Sequence, residues 1–187
     1  QMNVRYKGFL PLLLIMALFI NMTPTVVTAQ ENQSENKNMT CLSPKMVQLK
    51  VDMQKVWIDH TIWTRSYIVS AMSDRPDQKD VLDRLLRNQQ DIGNVIKPYY
   101  GEAAGNQLAD LLKEHIVIAG KIVEAAKAGN QAYLKKLDKD WHKNADDIAQ
   151  FLANANPFWN FKEWQTMLYN HLDLVTAEAL NFINKKL

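Results

Sequence analysis

From residue 43 onward, apolar residues recur every three or four positions, the repeat of a helix with one buried face. Met46, Leu49, Met53, Val56, Trp57, Trp63 and Tyr67 carry a first helix to about Met72. It opens at "SPK", where Ser43 can cap and Pro44 suits the first helical position, whose N–H needs no partner. "SDRPDQ" breaks it. Val81, Leu82, Leu85, Leu86, Ile92 and Ile96 predict a second helix over about 77–97, stopped by "KPYYG". A third spans about 102–128 and ends at "AGN", a glycine C-cap pattern. Leu134, Leu137, Trp141, Ile148, Phe151 and Leu152 predict a fourth over about 131–153. "NANPFW" separates it from a fifth, about 159–186, carrying Trp164, Met167, Leu168, Leu174, Val175 and Phe182. No stretch alternates with the period of a strand. Five amphipathic helices with short connections predict an all-α, antiparallel up-and-down bundle over residues 43–187.

The first 42 residues follow another pattern. Arg5 and Lys7 precede an apolar run from Phe9 to Ile20, and Val27 and Ala29 sit where small residues precede a signal-peptidase cut. Residues 1–29 are therefore expected to be a signal peptide cleaved after Ala29, which places the rest outside the cytoplasm. The apolar run falls short of the roughly 20 residues of a membrane span, so no stable anchor is expected; an uncleaved N-terminal anchor is the alternative. Residues 30–42, "QENQSENKNMTCL", are polar and aperiodic, and predict a flexible spacer.

Charge changes its meaning once the leader is set aside. The chain has 22 basic and 20 acidic residues, and the leader's two basic residues leave 20 of each. A neutral domain without a basic stripe argues against nucleic acid as a partner. The single cysteine, Cys41, cannot form an intramolecular disulfide, so packing must hold the core.

Candidate chemistry lies where polar residues interrupt the apolar stripes. His60 follows Val56 and Trp57; His115 lies among Leu111, Leu112, Ile118 and Ala119; His171 follows Met167 and Leu168. The second helix offers Asn88, Gln89 and Asp91, and the fourth offers Asn144 and Asp147. His60, Asp91, His115 and Asn144 each lie 12 or 13 residues from one shared end of the bundle, about 18–20 Å at 1.5 Å per residue. His171 lies about level with Asn144. Five helices thus bring a polar group to one depth.

Two readings compete. In the first, the layer is a structural hydrogen-bond network, because buried imidazoles and amides must find partners and mutual pairing fixes helix register. In the second it is a metal site, with His60, Asp91, His115 and His171 as ligands for zinc, iron, copper or manganese. Asn144, Asp147 and Glu178 would orient those ligands or bind the metal directly. Arg65, beside Trp63 and Tyr67, is a candidate to gather an anionic small ligand at the same layer. His142 is expected to face solvent. An enzyme, hydrolase or transferase, is the third reading. No GxSxG, P-loop, GxGxxG or Cys/His nucleophile pair supports it.

"WIDHTIWTRSYIVSA", "RLLRNQQDIGNVIKPYYGEAAGNQLADLLKEHIVIAG", "WHKNADDIAQFLANANPFW" and "MLYNHLDLVTAEA" together resemble a family of small exported bacterial proteins, largely of Gram-positive type. The resemblance covers about residues 45–182 and implies a helical bundle. It supplies no activity and no catalytic residues; enzyme labels carried by some relatives have no supporting motif here. The sequence reading is an exported bundle, non-enzymatic, with a binding or structural role centred on the polar layer.

Overall fold

The computed structural model describes residues 43–183. They form an antiparallel bundle of five helices: α1 Pro44–Met72, α2 Gln78–Tyr100, α3 Glu102–Lys127, α4 Gln131–Ala155 and α5 Phe161–Ile183. The segments expected to be a signal peptide and a spacer, with Cys41, lie outside the described residues. No helix among the described residues is long and apolar enough to cross a membrane.

Local chemistry explains the boundaries. The Ser43 hydroxyl accepts from the Met46 N–H (3.3 Å), and Pro44 starts α1. α2 runs through Pro98, three residues past the expected stop. That is tolerated in a last turn, where the proline costs one hydrogen bond near an end that frays anyway. Gly101, at φ +87°, then serves as the whole connection to α3. Gly129, at φ +67°, ends α3 in the left-handed region that glycine enters without a Cβ penalty. Asn130 caps α4 by accepting from the Tyr133 N–H (3.1 Å). Asn160 does the same for α5, at the Lys162 N–H (2.8 Å). This moves the start of α5 two residues beyond Trp159.

Contacts at the two ends fix the antiparallel order. The Lys127 ammonium donates to the Ala71 carbonyl (2.6 Å), so α1 and α3 finish together. The Tyr99 hydroxyl donates to the Lys45 carbonyl (3.0 Å), so α2 finishes where α1 begins. α2 and α3 approach closely through two glycines. A Cβ on Gly93 would lie 2.3 Å from the Gly105 carbonyl oxygen, and one on Gly105 would lie 2.7 Å from that of Gly93.

The core divides along its length. Met53, Val56, Ile92, Ile96, Leu108, Leu112 and Ile148 pack together near one end. Toward the other end lie two further clusters. Tyr67, Ala71, Leu85, Ile116 and Val123 join α1, α2 and α3. Ile118, Ala125, Leu137, Trp141, Ala145 and Leu172 join α3, α4 and α5. In sequence, His60, Asn88, Gln89, His115 and Asn144 fall between the members of these clusters on α1–α4, and all five are buried.

Candidate functional site: a buried histidine and amide layer

Each polar side chain reaches the interior because it replaces an apolar residue on its helix's buried face. On α2 that face runs Leu85, Gln89, Ile92 and Ile96, with Asn88 at its edge. On α4 it runs Leu137, Trp141, Asn144, Ala145 and Ile148. Neither amide has an exposed surface above 2%.

Two hydrogen-bonded chains result. In the first, Asn88 donates from Nδ2 across to the Val56 carbonyl of α1 (2.9 Å). Gln89 donates from Nε2 to the Leu85 carbonyl (2.8 Å), which fixes the amide's orientation, and to His60 Nδ1 (3.3 Å). His60 therefore accepts at Nδ1 and carries its proton on Nε2. In the second chain, Asn144 donates from Nδ2 to the Leu111 carbonyl of α3 (3.1 Å) and turns Oδ1 to His115 Nδ1 (2.8 Å). His115 must donate there, so its lone pair lies on Nε2. The two histidines are held in opposite tautomers.

His171 of α5 lies between them. Its ring centre is 5.9 Å from that of His115, with the rings stacked at 26°, and 6.4 Å from that of His60. Its Nδ1 is buried without a hydrogen-bond partner. The same is true of Gln89 Oε1, the indole nitrogens of Trp57 and Trp141, and Thr64 Oγ1. Trp57 lies 5.2 Å from His60 and Trp141 5.2 Å from His115, measured between ring centres. Thr64 and Trp141 also line an apolar cavity of about 40 Å³ beside the layer.

Burial sets the charge state. It pushes His60 and His115 down to about 3, helped by repulsion from His171 and opposed by the amide hydrogen bonds. Burial alone brings His171 down to about 4. All three imidazoles are neutral at pH 7.

Other residues named from the sequence lie elsewhere. Asp91, placed in the metal set, has a side chain 49% exposed and lies 3.5 Å from Arg84. At 100° per residue it sits more than 100° off the Leu85–Gln89–Ile92 face. Asp147 is turned out in the same way and pairs with Lys143 (2.5 Å). Arg65, also largely exposed, reaches Glu178 of α5 (2.5 Å) and lies over the Phe182 ring. This pair clips α1 to α5 at the surface rather than gathering a ligand at the layer. Among the described residues, no group of three or more His, Cys, Asp or Glu side chains is arranged to hold a metal ion. The four-residue ligand set is not assembled, because Asp91 points away. His142 is half-buried rather than solvent-facing: its ring meets Tyr169 edge-on at 4.7 Å. Thr64 and the two indole nitrogens carried no mark in the sequence beyond their spacing. Thr64 is one turn from His60, and Trp141 is three residues before Asn144.

No family model, curated protein or solved structure matches the chain.

Proposed function

We propose that this chain is an exported, non-enzymatic bundle protein whose polar layer is a neutral hydrogen-bond network that locks helix register. The observation that carries this reading is the pair of amide bridges to main chain: Asn88 to Val56 and Asn144 to Leu111. Each ties a buried side chain on one helix to a single carbonyl on its neighbour. A slide by one residue along either pair breaks the bond and leaves the amide donor unpaired in an apolar surround. Export rests on the leader pattern and on the resemblance to exported bacterial proteins.

The charge states argue against catalysis at this layer. A general base works best with a pKa near the working pH. Imidazoles pushed to about 3 or 4 are poor bases at neutral pH and carry no positive charge with which to hold an anion.

A double-mutant cycle on His115 and Asn144 tests the reading. Asn144→Leu leaves the His115 Nδ1–H unpaired, removes the second hydrogen bond to the Leu111 carbonyl and is expected to cost about 1–3 kcal/mol. His115→Leu with Asn144→Leu together should cost less than the two single changes added. Additive losses, or none, would sink the network reading. Elemental analysis of untagged protein tests the rival. Stoichiometric zinc, iron, copper or manganese, lost in His115→Ala and His171→Ala, would replace the network reading with the metal one.

A further inference from the structure

α1 is apolar on two opposite faces. Met53, Val56, His60, Tyr67 and Ala71 face the core. Val47, Val51, Ile58 and Ile62 fall within about 60° of one another on the far side, at 100° per residue. Their exposures are 45%, 52%, 44% and 54%. A helix apolar all round belongs in an interior, yet α1 lies mainly against α2 and touches α3 and α5 far less. The outer stripe is left uncovered by the bundle.

We infer that this stripe is a homodimer interface, in which α1 packs antiparallel against α1 of a second copy. The stripe is self-complementary, as a two-fold interface requires. About an axis between positions 54 and 55, Val47 falls opposite Ile62 of the second copy, and Val51 opposite Ile58. Every apolar side chain meets an apolar one. Gln54 and Lys55, on the two edges of the stripe, fall at the axis, where the Gln54 amide can pair with that of the second copy. A central polar residue of this kind fixes register and orientation.

Charge separates the antiparallel arrangement from the parallel one. Antiparallel pairing brings Lys55 to Asp52 of the second copy, and Asp59 of the same helix (2.7 Å from Lys55) offsets the approach of the two lysines across the axis. Parallel pairing would set Arg65 on Arg65 and Lys50 beside Lys55. The stripe offers roughly 400 Å² of apolar surface per copy, at the scale of a functional surface patch. Two such stripes fall short of the roughly 1,200 Å² at which specific, stable interfaces begin. The dimer is therefore a weak one that dissociates on dilution.

Sedimentation velocity on the purified chain between about 1 and 200 µM should show the mass rising from one chain toward two. Ile58→Asp with Ile62→Asp should weaken association at least tenfold. Both positions face away from the core, so circular dichroism and Tm should stay as in the parent. In a Cys41→Ser background, Gln54→Cys should be joined to its copy by a short bis-maleimide, and Gln90→Cys, exposed on α2, should not. A single-chain mass at every concentration overturns the inference, as does association undiminished in the Ile58/Ile62 variant. Equal crosslinking at Gln90→Cys overturns it too. Lipid vesicles that take up a strictly monomeric chain through the stripe would assign the face to a membrane surface instead.

Discussion

His115 shows how a single residue is decided by its partner. Its side chain is 5% exposed, and the Asn144 carbonyl oxygen chooses its tautomer. Burial alone would make an imidazole at this position costly; one well-placed amide removes most of the cost. Asp91 is the contrasting residue. It was placed beside Asn88 by sequence spacing, yet it pairs with Arg84 at the surface. Exposed pairs contribute little, so Asp91→Asn should change stability by no more than about 0.5 kcal/mol in urea denaturation. Asn88→Ala, by contrast, removes a buried hydrogen bond between α2 and α1 and should cost about 1–3 kcal/mol. Equal effects at the two positions would show that burial does not decide what these side chains contribute.

Among the elements, α2 and α3 are the tightest pair. Glycine is required at their crossing because backbone, not a yielding side chain, stands in the way of a Cβ: Gly93 faces the Gly105 carbonyl. Gly93→Ala gains helix propensity of about 1 kcal/mol but must force the two helices apart. Overpacking dominates, and the net loss should be about 1–3 kcal/mol. Gly120→Ala makes a useful comparison. Its nearest obstacle is the Tyr67 hydroxyl at 3.1 Å, the far end of a side chain that can shift. It should therefore be tolerated better, and thermal melts of the two variants would rank them. The reverse order would mean that the α2–α3 crossing is looser than the glycines imply. The periodicity marked these helices, their caps and their approximate ends. It did not mark the crossing, since two isolated glycines 12 residues apart carry no sign that they meet.

At the scale of the molecule, the polar layer interrupts the core and ties folding to pH. An unfolded histidine titrates near 6.5, whereas the three in the layer are lowered to about 3, 3 and 4. Their folded pKa values lie below the unfolded one, so as pH falls the unfolded chain takes up protons first. The stability these groups support is whole above about pH 6.5 and is lost as pH falls toward 4 and then 3. With three histidines the slope reaches about 4 kcal/mol per pH unit between pH 4 and 6. Acid unfolding should accordingly be cooperative and take up about three protons, falling to about two in His171→Phe. Urea midpoints measured from pH 8 to 4 would read this directly. A flat profile down to pH 5 would mean that the imidazoles are not held neutral inside the bundle.

The sequence by itself determined the helical class, the five elements, the caps at Ser43 and Gly129, and the depth at which polar residues interrupt the stripes. These depend on periodicity and on residue conformational preference, both of which are local. It also carried the outer apolar stripe of α1, although periodicity alone does not say which of two apolar faces turns inward. Only the tertiary structure decided that Asn88 and Gln89, rather than Asp91, face α1, and that Asn144 rather than Asp147 meets His115. Three residues along a helix turn a side chain by only about 60°, which is all that separates Asn88 from Asp91 and Asn144 from Asp147. Such a rotation is smaller than the width of an apolar face, so it is settled only when the neighbouring helix supplies the carbonyl or the imidazole that the side chain must reach.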